Sequence, residues 1–390
     1  MEHEGLDAQT LFGYTQGLRR DFHRFPELGF QERRTAGIVA RELSALHLEI
    51  RTGVAETGVV ALIEGSQPGP VVLLRFDMDA LPIQEQTGAE YASQNPGVMH
   101  ACGHDGHTAI GLTVARLLHA SRSEWCGAVK LVFQPAEEGL GGAKRMVAEG
   151  LLENPAPDVA FGLHLWNERP LGWIGITPGP MMSAAETFKV HLTGKGGHGA
   201  APHLAVDPLL AAAQIVTGLQ SIVSRNVAPL QTAVVSVTTI HAGEVFNVIP
   251  SRVEMQGTIR TFEPAIRQIV LRRFEQIIRG VAAAFECEAH IELTPVSPAV
   301  VNDAAVAQRV QEIARNLLPD HQISSDERTM GSEDMSFILQ QVPGCYIFIG
   351  SANAELGLAA AHHHPSFDFD EQVLPRAVAL LEACTRSYLI

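Results

Sequence analysis

Val71-Val72-Leu73-Leu74-Arg75-Phe76-Asp77-Met78-Asp79 is an apolar run that breaks into two carboxylates. It shows no alternation of apolar and polar positions, and a continuous run of this kind suits a strand buried on both faces. Similar runs bounded by turn residues stand at Val59–Ile63, Val129–Phe133, Val159–Leu163 and Cys345–Ile349. Between them, Thr108–His119 and Gly142–Ala148 carry apolar residues at helical spacing, the second stopping at Gly150, a residue that caps helix C-termini. The alternation predicts an α/β fold with a mainly parallel sheet flanked by helices.

From Ala184 the texture changes. A strand at Phe188–Leu192 precedes a helix opened by Asp207-Pro208 and running to about Arg225. Strands at Thr232–Ile240 and Arg252–Arg260 follow, then a helix at about Glu263–Phe285 and a closing strand at His290–Leu293. This order is the split ferredoxin-like α+β arrangement. The expectation is an inserted domain over residues 184–297, with residues 1–183 and 298–390 forming the larger one.

At 390 residues the chain is long enough for two cores, and its 46% hydrophobic content supplies them. A formal charge of −15 argues against nucleic acid or an anionic membrane as partner, since either repels a surface of that sign. Met1 to Leu11 holds several charges and no signal-like apolar run, and no stretch of about 18 apolar residues occurs, so a cytoplasmic location is expected. Five scattered cysteines, without a Cys-x-x-Cys pair, indicate neither a disulfide framework nor a zinc ribbon. Cys126, Cys287, Cys345 and Cys384 read as buried thiols; Cys102 does not.

Polar groups gather where predicted strands end: Asp77 and Asp79, Glu137 and Glu138, His164. In a parallel sheet such ends share the edge at which ligands bind. His100-Ala101-Cys102-Gly103-His104-Asp105-Gly106-His107 adds a thiol, three imidazoles and a carboxylate. In extended backbone Cys102 and His104 fall on one face and reach a single metal-sized site. Thiolate with imidazole and carboxylate suits zinc, nickel, cobalt or manganese better than magnesium or calcium. Glu137 and Glu138, adjacent on extended chain, point in different directions, which suits one binding metal and the other handling protons. His362-His363-His364-Pro365 offers another ligand. Taken one at a time, each has a plainer explanation: a His-rich helix start with satisfied polar groups for the Cys102 segment, a solvated loop pair for Glu137 and Glu138, and a fortuitous polar loop for the three terminal histidines.

Together, Asp77-Met78-Asp79-Ala80-Leu81-Pro82, His100–Asp105, Gln134-Pro135-Ala136-Glu137-Glu138, Gly162-Leu163-His164 and His363-His364-Pro365 resemble the hippurate-hydrolase and indole-acetyl-amino-acid-hydrolase type of amidohydrolase. That type sits in a larger clan of dinuclear metallo-aminoacylases and carboxypeptidases with a zinc-peptidase-like catalytic domain. The likeness runs from Arg20–Leu28 to Phe367-Asp368-Phe369-Asp370. It implies two divalent ions per subunit, with ligands at Cys102, His104, Glu138, His164 and His363 and with Cys102 bridging. Of the three terminal histidines, His363 matches the family's His-x-Pro pattern. The resemblance also implies Glu137 as general base and Asp79 as the carboxylate that orients a ligand. The inserted unit resembles the family's lid and dimerisation domain, which implies a homodimer or homotetramer. Its loop Gly194–His203 implies that His198 donates to the developing oxyanion, and in related enzymes this histidine reaches the partner subunit's site. Asn247 and Arg260 match positions on the substrate side of the lid, and the planar fork of Arg260 suits a carboxylate. One departure is Glu186, where the family more usually has aspartate.

The implied reaction is hydrolysis of an N-acyl-amino acid, an N-acetyl, N-benzoyl or indole-acetyl conjugate, to a carboxylic acid and an amino acid, with Glu137 moving the proton. A dipeptidase or carboxypeptidase of the same clan is the nearest alternative. It needs a site for a free substrate ammonium, and no carboxylate in the sequence is assigned to one. A metal-bearing protein without catalysis is a third reading, disfavoured by the retention of Glu137. No Gly-x-Ser-x-Gly elbow and no phosphate-binding Gly-x-x-x-x-Gly-Lys-Ser/Thr loop is present.

Overall fold

The computed structural model describes residues 6–389, so the first five residues of the charged Met1–Leu11 stretch lie outside it. The chain divides into two compact units, one of Met1–Gly179, Val300–Arg328 and Asp334–Ile390, the other of Pro180–Ala299 and Thr329–Glu333.

The first unit is built on an eight-stranded sheet in the order Glu49–Val54, Gly58–Glu64, Ala128–Gln134, Val71–Asp77, Val159–Pro170, Gly344–Ala352, Trp173–Gly175, Gln322–Ser324. Ala128–Gln134, Val71–Asp77, Val159–Pro170 and Gly344–Ala352 run parallel and form its centre. The antiparallel hairpin of Glu49–Val54 and Gly58–Glu64 extends one side, and the short Trp173–Gly175 strand runs antiparallel to Gly344–Ala352, so the sheet as a whole is mixed. Every residue of Val71–Asp77 is buried, as the unbroken apolar run requires.

The helix read from Thr108 begins four residues earlier, at His104, and runs to Ala120. Its first turn is polar in sequence and therefore resembles loop, yet fourteen of its residues are buried, which makes it a helix enclosed nearly all round. Gly111 lets it lie against the central strand: a Cβ there would stand 2.6 Å from Cδ2 of Phe76.

Charged residues inside this unit are matched to acceptors. Arg75, in the middle of the central strand, donates to Gln134 Oε1 (2.6 Å), Asp77 Oδ2 (2.7 Å) and Asp334 Oδ1 (2.9 Å). Lys130 is 3% exposed and donates from Nζ to the carbonyls of Leu151 (2.9 Å), Glu153 (2.8 Å) and Pro155 (2.7 Å). One cation thereby holds the segment that leads into the Val159–Pro170 strand. Lys130→Met keeps the stem and removes the donors, leaving carbonyls without partners, and is expected to cost about 2–4 kcal/mol. Thermal unfolding measures this; a melting temperature unchanged from the parent would show that water satisfies the carbonyls instead.

The second unit carries a four-stranded antiparallel sheet in the order Ala233–His241, Arg252–Thr261, Ala184–Thr193, Glu288–Ser297. Helices Pro208–Ser221 and Pro264–Ala284 cover it. The first presents Ala211, Ile215 and Leu219 to the core and the second Ile266, Val270, Phe274, Ile278 and Ala282, a spacing of four that keeps each set on one face. Asp207 caps the first helix by accepting from the amides of Leu209 and Leu210. Glu263, the acidic residue in the equivalent place before Pro264 of the second helix, makes no such bond. Glu186 is buried, and its carboxylate pairs with Arg267 of that helix. The thiols of Cys102, Cys287, Cys345 and Cys384 are buried, whereas Cys126, read from sequence as a buried thiol, is only partly so, in the irregular segment just before Ala128–Gln134. Among the described residues no helix is long and apolar enough to cross a membrane.

Candidate functional site

Two turns and one strand bring the polar cluster of the first unit together. Gly103, at φ +91°, separates Cys102 from the first residue of the His104–Ala120 helix, so the Cys-x-His pair does not lie on extended backbone. The left-handed glycine folds the thiol and imidazole toward each other instead. His164, expected at a strand end, lies inside Val159–Pro170, because Gly344–Ala352 continues to pair beside it. It stands past the last residue paired with the central strand, Gly162 opposite Arg75, and this frees one side of the strand for the cluster. Ala136 takes φ +54°, so Glu137 and Glu138 follow a reversed turn rather than an extended segment. They converge instead of diverging: an oxygen of each lies within 4.8 Å of the other and of a His104 nitrogen.

Cys102, His104 and His164 offer ligand atoms within 4.8 Å of one another, and so do Cys102, Glu138 and His363. Sγ of Cys102 is 3.4 Å from Nε2 of His164, and Nε2 of His363 is 3.3 Å from Oε1 of Glu138. Cys102 is common to both groups. His363 itself sits at φ +63° and donates its amide proton to the carbonyl of Ala101, which ties the C-terminal histidine turn to the Cys102 loop.

Hydrogen bonds set which nitrogen of each imidazole faces the cluster. His104 Nδ1–H donates to the Asp79 carbonyl (2.9 Å), leaving Nε2 buried without a hydrogen-bond partner. His164 Nδ1–H donates to the Leu165 carbonyl (2.8 Å), which likewise turns the Nε2 lone pair inward. Asp79 Oδ2 accepts from the amide of Glu138 (3.0 Å), so one residue orients both a histidine and a carboxylate of the cluster. A buried, unpartnered imidazole nitrogen beside a thiol and carboxylates is the donor set of a borderline divalent cation, and the residues fit such an ion.

Charge in the site follows burial and proximity. Burial pushes the Cys102 thiol up and Glu138 adds to this, while His104 and His363 pull the other way. His164 is driven well down by burial and by the neighbouring His107 and His362. For His104 burial opposes the charged ring, but Asp77 and Cys102 outweigh it and hold the imidazole well above its ordinary value. Thiolate and neutral imidazole are the ligating forms, so a cation held by these residues would take the place of these protons.

Three residues acquire places that sequence reasoning did not assign. His107 lies one helical turn after His104, with the rings 5.4 Å apart. Its Nδ1 bonds Asp77 Oδ1 (2.6 Å) and its Nε2 accepts from the Leu165 amide (2.9 Å), so both nitrogens are committed and it braces the strand beside His164. The i, i+3 spacing of His104 and His107 was the available signal. Asp77 serves this brace and Arg75. His362 is partly buried, accepts at Nε2 from the Asn167 amide (3.1 Å) and lies with Nδ1 4.0 Å from Cys102 Sγ. Burial pulls its pKa down to about 3.

His198, Asn247 and Arg260 belong to the second unit. His198 is exposed, on a two-residue strand paired with Val248–Ile249. Its Nδ1 accepts from the Ala200 amide (3.1 Å), which leaves the proton on Nε2. Asn247, also exposed, accepts from the Gly199 amide at its carbonyl (2.8 Å), so these two residues share a loop junction. Arg260 is half-buried on Arg252–Thr261, where it donates to Thr258 Oγ1.

A model of peptidase family M20/M25/M40 matches residues 73–387. The N-acetylcysteine deacetylase of Bacillus subtilis (strain 168) is 41% identical over 358 residues, covering 92% of this chain and 92% of the relative. The IAA-amino acid hydrolase ILR1-like 4 of Arabidopsis thaliana is 40% identical over 384 residues, covering 97% and 87%. The crystal structure of Bacillus subtilis YXEP, described as a dinuclear metal-binding peptidase of the M20 family, matches with a TM-score of 0.84 at 36% identity, covering 97% of this chain and 99% of that one.

Proposed function

The chain belongs to peptidase family M20/M25/M40, and from that premise we propose that it hydrolyses N-acyl-amino acids at a centre of two divalent ions held by Cys102, His104, Glu138, His164 and His363. It is a metal-dependent amidohydrolase acting on a small molecule. The observation that carries the reading is the sharing of Cys102 between two three-residue ligand groups, with a Glu137 oxygen within 4.8 Å of one member of each, His104 and Glu138. Cys102, His104 and His164 would hold one ion, and Cys102, Glu138 and His363 the other. Manganese, zinc, cobalt and nickel all suit this donor set.

When bound, the metal supplies a water of lowered pKa and positive charge at the substrate carbonyl. Glu137 accepts a proton from the attacking water and returns it to the leaving nitrogen, so that one carboxylate serves as base and then as acid. Asp79 keeps His104 in the tautomer that presents Nε2. His198 Nε2–H donates to the oxygen that gains charge as the carbonyl is attacked. The products are a carboxylic acid and an amino acid.

The second unit serves as lid and dimerisation domain, residues 184–297 inserted between 1–183 and 298–390, and the assembly is a homodimer or homotetramer. Asn247 and Arg260 bind the substrate, Arg260 at its carboxylate. The enzyme works in the cytoplasm, on neither nucleic acid nor membrane.

The test uses metal-free protein reloaded separately with each of the four metals and assayed by mass spectrometry against N-acetyl, N-benzoyl and indole-acetyl amino acids and a set of dipeptides. Metal-dependent release of free amino acid from the N-acyl substrates is expected. Cleavage confined to dipeptides would overturn the substrate class.

A further inference from the structure

We propose that Glu32 is a positioning residue of this centre, holding the left-handed turn at Ala136 that aims Glu137 and Glu138 into the cluster. The inference rests on the reading of Glu137 as base and Glu138 as ligand, and it concerns a side chain that touches neither metal nor substrate.

Glu32 is fully buried just before the Arg33–Ser44 helix and makes no capping bond to it. Both its oxygens are engaged elsewhere. Oε1 accepts from the amide of Ala136 (2.8 Å), and Oε2 accepts from the hydroxyl of Thr57 (2.6 Å). Ala136 is itself fully buried at φ +54°, a backbone region that L residues with a Cβ rarely occupy. Such a conformation persists where its surroundings over-determine it, and here they do. The Ala136 carbonyl accepts from the amide of Gly142 (3.0 Å), and a Cβ at Gly142 would meet the Pro135 carbonyl at 1.7 Å, so only glycine allows that approach. The amide on the other side of Ala136 has Glu32 as its acceptor.

The turn then decides where two functional side chains go. Directly after Ala136, Glu137 and Glu138 each place an oxygen within 4.8 Å of a His104 nitrogen. Glu138 is fixed once more by its own amide on Asp79 Oδ2. Without Glu32 the Ala136 amide is buried with no acceptor, and rotation of the Pro135–Ala136 peptide relieves both that loss and the positive φ. That rotation swings Glu137 and Glu138 away from His104.

The bond is a matter of acceptor placement rather than charge. Burial pushes the Glu32 carboxyl up to about 7, against the bonds from Thr57 and the backbone that favour the ionised form. The acid can accept at one oxygen from Ala136 and donate from the other to Thr57 Oγ1. A glutamine makes the same two bonds with its carbonyl and its amide.

Glu32→Gln, Glu32→Asp and Glu32→Ala separate the possibilities. Each is read by calorimetric titration of the metal-free protein with Mn²⁺, by kcat and KM on an N-acyl-amino acid, and by circular dichroism. Glu32→Gln is expected to stay near the parent in every reading. Glu32→Asp keeps the charge but withdraws the acceptor by one methylene, and Glu32→Ala removes it. Both are expected to lose roughly 10–100-fold in Mn²⁺ affinity, the range for residues that orient ligands, with kcat falling and KM little changed. If Glu32→Ala does not fold, the order of the other two variants still decides. A parent-like Glu32→Asp beside a defective Glu32→Gln would overturn the proposal in favour of charge, and parent-like Mn²⁺ affinity and kcat in Glu32→Ala would overturn it outright. The Mn²⁺ titration reads the effect even if no amide in the panel is cut, so failure of the functional reading is distinguishable from failure of this one.

Discussion

Glu137→Gln is expected to lower kcat by roughly 10²–10⁴-fold while the metal content of the purified protein stays at the parent's level. Glutamine fills the same space beside His104 but cannot take a proton from water or return one to the leaving nitrogen. Glu138, the adjacent carboxylate, cannot substitute for it, because its Oε1 lies 3.3 Å from His363 Nε2 and its amide is held by Asp79, which commit it to the ligand group. KM should change little, since the proposed substrate contacts, Asn247 and Arg260, are left in place. Parallel measurement of metal by mass spectrometry and of kcat at saturating substrate checks both halves. A variant that keeps more than about a tenth of the parent's kcat would remove Glu137 from the role of base.

Cys102→Ala should be more damaging to the metal centre than loss of any one histidine. Each of the two ligand groups has three members, and Cys102 is a member of both. Removing His164 weakens one group, whereas removing the thiol leaves His104 and His164 as one pair and Glu138 and His363 as another. A loss well beyond the 10–100-fold typical of residues that merely orient ligands is expected for both ions together, with activity falling in step. Calorimetric titration of the metal-free variant with Mn²⁺ measures it. Loss of a single ion with the other bound as in the parent would show that the thiol serves one ion alone.

The α/β architecture was legible because the strands at its centre announce themselves. Val71–Asp77 is apolar without alternation, and a strand covered on both faces cannot be otherwise unless each polar group finds a partner. Arg75 is such an exception: Asp77 is a partner two positions on, but Gln134 and Asp334, which complete its set of acceptors, lie 59 and 259 positions away and have no local signature. The second unit's helices were readable from the acidic residue and proline at their starts, Asp207-Pro208 and Glu263-Pro264.

The elements misplaced from sequence share one cause: a polar residue inside structured chain reads as its end. His164 looked like the end of a strand that continues to Pro170, and the Cys102–His104 pair was read as extended chain before a helix from Thr108, whereas that helix starts at His104. Both are polar in the interior because they serve the cluster, so the local pattern fails at the places where the site is built. The turn geometry was equally hidden. Gly103 offered a hint as a glycine, but a left-handed alanine at 136 has no signature in composition, and with it went the expectation that Glu137 and Glu138 diverge. His362 and His363 differ by one position, and the structure gives them different partners, Asn167 for one and Glu138 for the other.

Anomalous diffraction from crystals of the manganese-loaded protein tests the central claim most directly. Two peaks about 3.5–4 Å apart are predicted, the spacing usual for paired hydrolytic ions, with Cys102 Sγ ligating both, His104 and His164 on one, and Glu138 and His363 on the other. A single peak, or two peaks of which only one is reached by Cys102, would contradict it.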